Sequence, residues 1–528
     1  MTARKKHWLI GMGIGVVVAV VGISIAGAIL SKRFEPMVRQ QAISYLEERF
    51  HSQVALAGLH LHLPKISALN LVLHGGKGVK VSVEGDGLSM RFGGLRDLPP
   101  LFSVRKVQFV VDLGTLTQDQ KFVDAVSLDG MQINIPPKGE RASFNTGNSS
   151  ERNTSKPNVI IKDVQIRGAS LVILPKDRTR TPLRFQIEHL HLTSVGKDTP
   201  MNYSGTLTNP KPPGNIQSNG RFGPWVADDP GDTALNGKYT FDNADLGVFN
   251  GIAGILKSSG DFDGSLSSVH ARGETTVPDF RLTMSGNPVP LSTTFEVLVD
   301  GINGNTILQP VHAKLGSTSF TTTGAVIKHE AQMRRLVNLK VSMTNGDLRD
   351  LLRLATKGSP FMEGRISLYT GIDIPPLTGK IKNKLRLDGR FSVRDAKFLR
   401  SNIQDEIDKL SRKGQGQPKN EEIDEVVSSM SGSFRLQNQV MTFRSLSFGV
   451  PGAQIALAGD YDLARDTVDF HGTLRLLAKI SQTMTGWKRW ALKPLDPFFS
   501  KNGAGTFLHI KVDGSTRKPK FGLDRGHG

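Results

Sequence analysis

From Val54 onward the chain repeats with a period of two. Val79, Val81 and Val83 alternate with Lys80 and Ser82, and Leu385, Leu387, Gly389, Phe391 and Val393 alternate with Arg386, Asp388, Arg390 and Ser392. Val468, Phe470, Gly472, Leu474 and Leu476 alternate in the same way with Asp469, His471, Thr473 and Arg475. Successive side chains of a strand point to opposite faces, so each run predicts a strand with one apolar and one polar face. Met441 and Phe443 are followed by Leu446 and Phe448, which flips the apolar phase near Ser445 and calls for a β-bulge. The fold class that follows is mainly β: a long curved or grooved antiparallel-type sheet body with a few short capping helices. A one-sided apolar sheet must cover its apolar face, and there are too few helices to do so. Either two sheets pack together or one sheet curls around something apolar.

Helical periodicity is confined to islands. Phe34, Met37, Val38, Ala42, Tyr45, Leu46 and Phe50 form one stripe behind Pro36, predicting a helix that covers the end of the first sheet or lies on a membrane. Leu348, Leu351, Leu352 and Ala355 follow a capping Asp347. Ile403, Ile407 and Leu410, and then Ile423, Val426, Val427 and Met430, predict two more helices around the linker 413–420. In 476–492 the stripe Leu477, Ile480, Met484, Trp487 and Ala491 lies beside Lys479, Lys488, Arg489 and Trp490. It predicts a capping helix, with an interfacial membrane helix through Trp487, Lys488, Arg489 and Trp490 as the alternative. Residues 136–158 read as a flexible insertion, and 208–236, rich in Pro, Gly and Asn, as an irregular loop. The resulting division is 1–33, 34–207, 208–236, 237–380 and 381–528.

Residues 8–30, from Trp8 to Leu30, carry no charge. About 23 residues at 1.5 Å each reach roughly 34 Å, enough to cross a hydrocarbon core of about 30 Å. Arg4, Lys5 and Lys6 precede the stretch and Lys32 and Arg33 follow it, so 1–33 read as a cytoplasmic tail and a transmembrane anchor. Ala26-Gly27-Ala28 fits a signal-peptidase site, but an apolar core this long exceeds the 7 to 15 or so residues usual there. Gly11 and Gly15 form a GxxxG pair through which two anchors could approach in a homodimer.

The chain contains no cysteine, which excludes disulfides, zinc-thiolate sites and cysteine nucleophiles. Its formal charge of +19 favours anionic partners. The basic residues are dispersed and lack interleaved aromatics, which argues against nucleic acid. His60 with His62, and His189 with His191, sit two apart on strands and could chelate a metal, although strand alternation with histidine on the polar face accounts for both. His74-Gly75-Gly76 has no Gly-x-Ser-x-Gly elbow to accompany it, and neither a P-loop nor a dinucleotide motif is present. We expect no enzyme, no cofactor and no metal.

The stretches running from Leu385-Arg-Leu-Asp-Gly-Arg-Phe-Ser-Val to Lys397-Phe398, from Leu446-Ser-Phe-Gly-Val-Pro-Gly to Asp462-Leu463, and from His509-Ile-Lys-Val-Asp-Gly to Pro519 resemble the glycine-punctuated strands of the AsmA-like family. Pro278-Asp-Phe-Arg-Leu and 300–305 are similar to a variant with a longer central part. The order of these segments behind one anchor is what carries the resemblance. It implies a bacterial inner-membrane anchor, a periplasmic body and a sheet whose apolar interior cradles acyl chains, as in bridge-like lipid transfer proteins. The expected role is lipid transport or outer-membrane homeostasis, with phospholipid and membrane as partners and Val468, Phe470, Leu474 and Leu476 facing lipid. A non-enzymatic envelope scaffold that binds protein partners is the alternative. Intact mass of the membrane-extracted chain is expected to include Met1 or Thr2; a mature chain starting near Ile29 would contradict an uncleaved anchor.

Overall fold

The computed structural model describes residues 35–50, 52–62, 80–92, 99–112, 120–135, 158–174, 182–196, 199–224, 226, 230–301, 303–329, 334–416, 426–478, 505–516 and 518–524. The anchor residues Trp8, Gly11, Gly15 and Leu30 lie outside them, as do Trp487, Lys488, Arg489, Trp490 and the insertion 136–157. Among the described residues no helix is long and apolar enough to cross a membrane. Strands dominate, and the chain divides into two compact units. The first is Met1–Asp245 with Leu256–Gly273 and Val299–Ile302; the second is Leu246–Ile255, Glu274–Leu298 and Asn303–Gly528.

The first unit opens with helix α1 (Glu35–Phe50). Ala42 and Leu46 on its predicted stripe are fully buried. Two polar contacts fix the helix to the strands Ser52–Ala55 and Gly58–His62 that follow: Arg39 Nε donates to the Leu56 carbonyl at 2.7 Å, and Glu47 accepts from the Val54 amide at 3.1 Å. Both short strands pair with the long strand Lys80–Phe92, broken at Leu56-Ala57. Gly87 lies opposite that break with φ 62°, where a Cβ would come within 2.9 Å of the Ala57 Cβ, so only glycine fits.

Antiparallel pairing continues from Lys80–Phe92 to Phe102–Asp112 and on to Gln120–Asp129 and Gln132–Ile135. The next step is parallel: Gln120–Asp129 and Gln132–Ile135 both run alongside Asn158–Ile173 in one register, Gln120 opposite Asn158 and Ile135 opposite Ile173. The expected antiparallel sheet is therefore mixed. A parallel return needs roughly a dozen residues or more, and the connection over 136–157 supplies them. Antiparallel pairing then resumes through Leu183–Val195, Met201–Pro210, Pro213–Phe222 and Ala234–Asp245. The stretch 208–236, expected to be an irregular loop, thus contains a ten-residue strand. Pro210, Pro212 and Pro213 sit at the tip of a hairpin, where they need donate no ladder bond, and the Asn, Gln, Ser and Gly residues conceal a strand with little apolar signal.

Cross-strand neighbours line up into rows. Val83, Phe109, Val126, Val164 and Leu192 stand opposite one another on consecutive partners, and all are buried. The row ends in Tyr203, half-buried, whose hydroxyl lies 3.1 Å from Ser218 Oγ; burial pushes its phenol above the ordinary value. This sealed aliphatic core is the main packing of the first unit. Phe109, 1% exposed, has no room to be replaced. Phe109→Ala is expected to destabilise the unit by about 3–5 kcal/mol in denaturant titrations.

Candidate functional site

In the second unit the strands from Thr306–Leu315 through Lys518–Leu523 pair each with the next, all antiparallel. Their registers bring one apolar face together. One row reads Phe434, Phe443, Gly459, Phe470, Val512 and Phe521, and the next reads Phe391, Gly432, Leu446, Leu457, Gly472, Ile510 and Leu523. A bulge at Arg444, between Phe443 and Leu446, keeps both apolar residues on this face, at the place where the sequence pattern changes phase. Ser428–Gln437, expected to begin as a helix running to Met430, is a strand of this sheet. Met430 stands opposite Val393 and Phe448, and that cross-strand apolar pairing outweighs the weak helical spacing.

Rings and glycines interlock across the face. Phe391 stands opposite Gly432, Phe434 opposite Gly389, and Gly459 between Phe443 and Phe470. A Cβ on Gly432 would press on the Phe391 ring at 3.1 Å. Phe391 and Phe434 have centroids 6.3 Å apart, and Phe443 and Phe470 are 5.7 Å apart, both pairs tilted. Such pairs are favourable by about 0.5–1.5 kcal/mol beyond area burial.

Among the described residues, helices close the face at one end. Helix α2 (Leu348–Ala355), capped by the Asp347 carboxylate accepting from the Arg349 amide, sets Leu348, Leu351 and Leu352 on Met343, Met362, Ile366 and Val393. The Arg349 guanidinium holds the Asp347 carboxyl below its ordinary range. The short helix α3 (Ile381–Lys384) lies in the opposite connection. Helix α4 (Ser401–Gln415) packs Ile407 and Leu410 over Val426, Val450, Ala453 and Leu476. Gln404, buried, pins α4 by accepting from the Phe398 amide at 2.9 Å and donating to the Val426 carbonyl at 2.9 Å. The 477–505 connection leaves at this same end, since Leu476 pairs with Thr506.

Of the four residues expected to face lipid, Leu474 and Leu476 therefore belong to the small core under α4. Val468, half-buried between Tyr461 and Gly514, and Phe470, 9% exposed beside Phe443, lie on the stretch beyond the helices. There Leu387, Phe434, Phe443, Leu457 and Ile510 are also half-buried, neither sealed nor fully wet. The edge strand Lys518–Leu523 carries the face outward, with Phe521 78% and Leu523 55% exposed. The sequence reading passed over these two; the alternation of Lys518 and Lys520 with Phe521 and Leu523 was the signal available.

The opposite face is charged. Asp388 accepts from Arg435 at 2.8 Å with Arg444 at 3.6 Å, and Arg390 lies over the Tyr369 ring at 5.0 Å. Among the described residues no three His, Asp or Glu side chains converge as a metal set would. His60 lies 3.7 Å from Asp86, and His191 lies 2.6 Å from Asp163. No family model matches the chain, and neither a curated protein nor a solved structure does.

One titratable contact ties the edge strand down. His471 Nδ1 lies 2.9 Å from Asp524 and Nε2 3.2 Å from Asp469, with Lys511 opposite it in register. The Asp524 hydrogen bond, ahead of the nearby carboxylate charges, raises the imidazole above its ordinary value. A raised imidazole contributes stability that is fully present below its unfolded value and lost as pH rises through the folded one. The protection factors of the 518–523 amides, corrected for intrinsic base-catalysed exchange, are expected to fall over that rise. In Asp524→Asn the His471 titration, followed by NMR, should move down; an unmoved titration would contradict the contact.

Proposed function

We propose that the chain is a membrane-anchored lipid-handling protein of the bacterial envelope, whose second unit holds acyl chains along its apolar face. The observation that carries this reading is the run of half-buried Leu, Ile, Val and Phe side chains beyond α2 and α4, continuous out to exposed Phe521 and Leu523. Apolar side chains left partly wet forgo stabilisation that an acyl chain supplies at about 0.8 kcal/mol for each buried CH₂. Gly459, between Phe443 and Phe470, and Gly472, between Leu457 and Ile510, place no side chain of their own on the face, which suits a flexible apolar occupant better than a fixed polar substrate. The uncharged segment Trp8–Leu30 and the resemblance to AsmA-like proteins support an inner-membrane anchor with the body in the periplasm. Transport of phospholipid or maintenance of the outer membrane is the role that fits.

Because Leu474 and Leu476 are covered by α4, probes belong farther along the face. Photocrosslinkers at Leu457 and Val468 are expected to capture phospholipid in cells, and those at His471 and Arg475, on the opposite face, to capture none. Leu457→Asp should abolish the lipid adduct while the body stays folded, since this position is not in a dry core. Protein adducts at Leu457 and Val468 on a lipid-free body would sink this reading in favour of the envelope scaffold.

A further inference from the structure

The first unit carries, on its solvent face, a feature that lipid handling leaves unused. The Leu-His-Leu segment around His189 and His191 lies in a strand whose exposed side chains form the walls of a trough of about 760 Å³. Its floor is the backbone of Ile166, Leu190, Gly205, Ser218 and Tyr239, which stand opposite one another on consecutive strands. The Ile166 and Leu190 side chains point the other way, into the aliphatic core. The wall residues precede and follow each floor residue and so stand on the face opposite the core, although the Thr206 hydroxyl itself is buried there. One wall runs Gln165, His191, Ser204, Asn219, Lys238; the other runs Arg167, His189, Thr206, Gln217, Thr240.

We propose that this trough binds an anionic glycan chain lying across the strands. Two parallel walls about 7 Å apart present a polar group roughly every 4.8 Å, the spacing of neighbouring strands. That is a repeat for an extended polymer, whereas a single phosphate would need a compact nest. Amide, hydroxyl and imidazole groups supply both donors and acceptors for sugar hydroxyls. The charge bias is positive: Arg167 and Lys238 line the trough, and the Arg167 guanidinium donates to the Gln165 side-chain oxygen at 3.2 Å. The nearby carboxylates are already engaged, Asp163 with His191 at 2.6 Å and Asp261 with Arg272 at 3.2 Å. No Phe, Tyr or Trp side chain stands in either wall, so the large stacking rings on which single-stranded nucleic acid lies are missing.

The test uses the full chain in detergent with fluorescein-labelled dextran sulfate. Neutral dextran serves as the uncharged control, and an oligothymidylate of similar charge as the competitor. Arg167→Gln with Lys238→Gln should weaken dextran sulfate binding by about tenfold or more, the scale of losing charge-assisted hydrogen bonds. Lys340→Gln with Lys380→Gln removes the same charge from exposed positions of the second unit and should leave binding within about twofold. Ser204→Phe fills the trough without changing charge at an exposed site and should also weaken binding about tenfold. The proposal is overturned if dextran sulfate does not bind, if both charge pairs weaken it equally, or if Ser204→Phe is silent. Neutral dextran binding as tightly, or oligothymidylate displacing the probe as well as unlabelled dextran sulfate, overturns it too. Lipid adducts at Leu457 are a separate readout and are expected to be unchanged in all these variants.

Discussion

Alternation along a strand puts all of its apolar side chains on one side, and something must keep water off that side. Everything else in this protein follows from how the demand is met. In the first unit the rows built on Val83, Phe109, Val126 and Val164 are buried outright, with α1 laid over the entry strands. In the second, the closed clusters on this face among the described residues lie at the end near α2 and α4, and much of the rest of the face keeps part of its apolar area accessible. The same β chemistry therefore gives a stable wall in one unit and an unfinished interior in the other. The proposed lipid-handling role rests on that part-accessible apolar face.

Glycine decides how that interior is shaped. A glycine in a strand ordinarily weakens it, by roughly 0.5–1 kcal/mol relative to alanine. At Gly432 the loss is offset because the Phe391 ring lies over the gap, while Gly389 and Gly459 stand opposite Phe434 and between Phe443 and Phe470. Ring and gap form one unit of packing, so either partner's replacement disturbs the other. Two tyrosine hydroxyls of the first unit act differently, each meeting a serine, Tyr203 with Ser218 and Tyr239 with Ser258. Those polar rungs appear where the aliphatic rows thin out.

Much of this was legible in the residues. The period-two runs at Lys80–Phe92, Arg386–Phe398 and Thr467–Leu476 are strands, the phase change at Ser445 is a bulge, and Asp347 caps a helix. Local pattern sufficed for these because each depends on neighbours in the sequence. The strand Pro213–Phe222 was illegible because Asn, Gln, Ser and Gly leave almost no apolar period, and its place is fixed by two partner strands. The parallel step of Asn158–Ile173 depends on a pairing across a long connection, which no local signal encodes. For the candidate site, alternation told which face Leu474 and Leu476 occupy but not that Ile407 and Leu410 return to cover them.

The succession of hairpins in the second unit also bears on how such a chain changes over evolutionary time. From Thr306–Leu315 to Lys518–Leu523 each strand hydrogen-bonds to the next, and each connection reverses the chain within its own sheet. Stability in such a series is close to a sum of nearest-neighbour terms, as in repeat proteins. Duplicating or deleting one hairpin leaves the other interfaces as they were and lengthens or shortens the apolar face by about two strand spacings, roughly 9.6 Å. Reach becomes a quantity that gene duplication can adjust in steps, without redesign of a core.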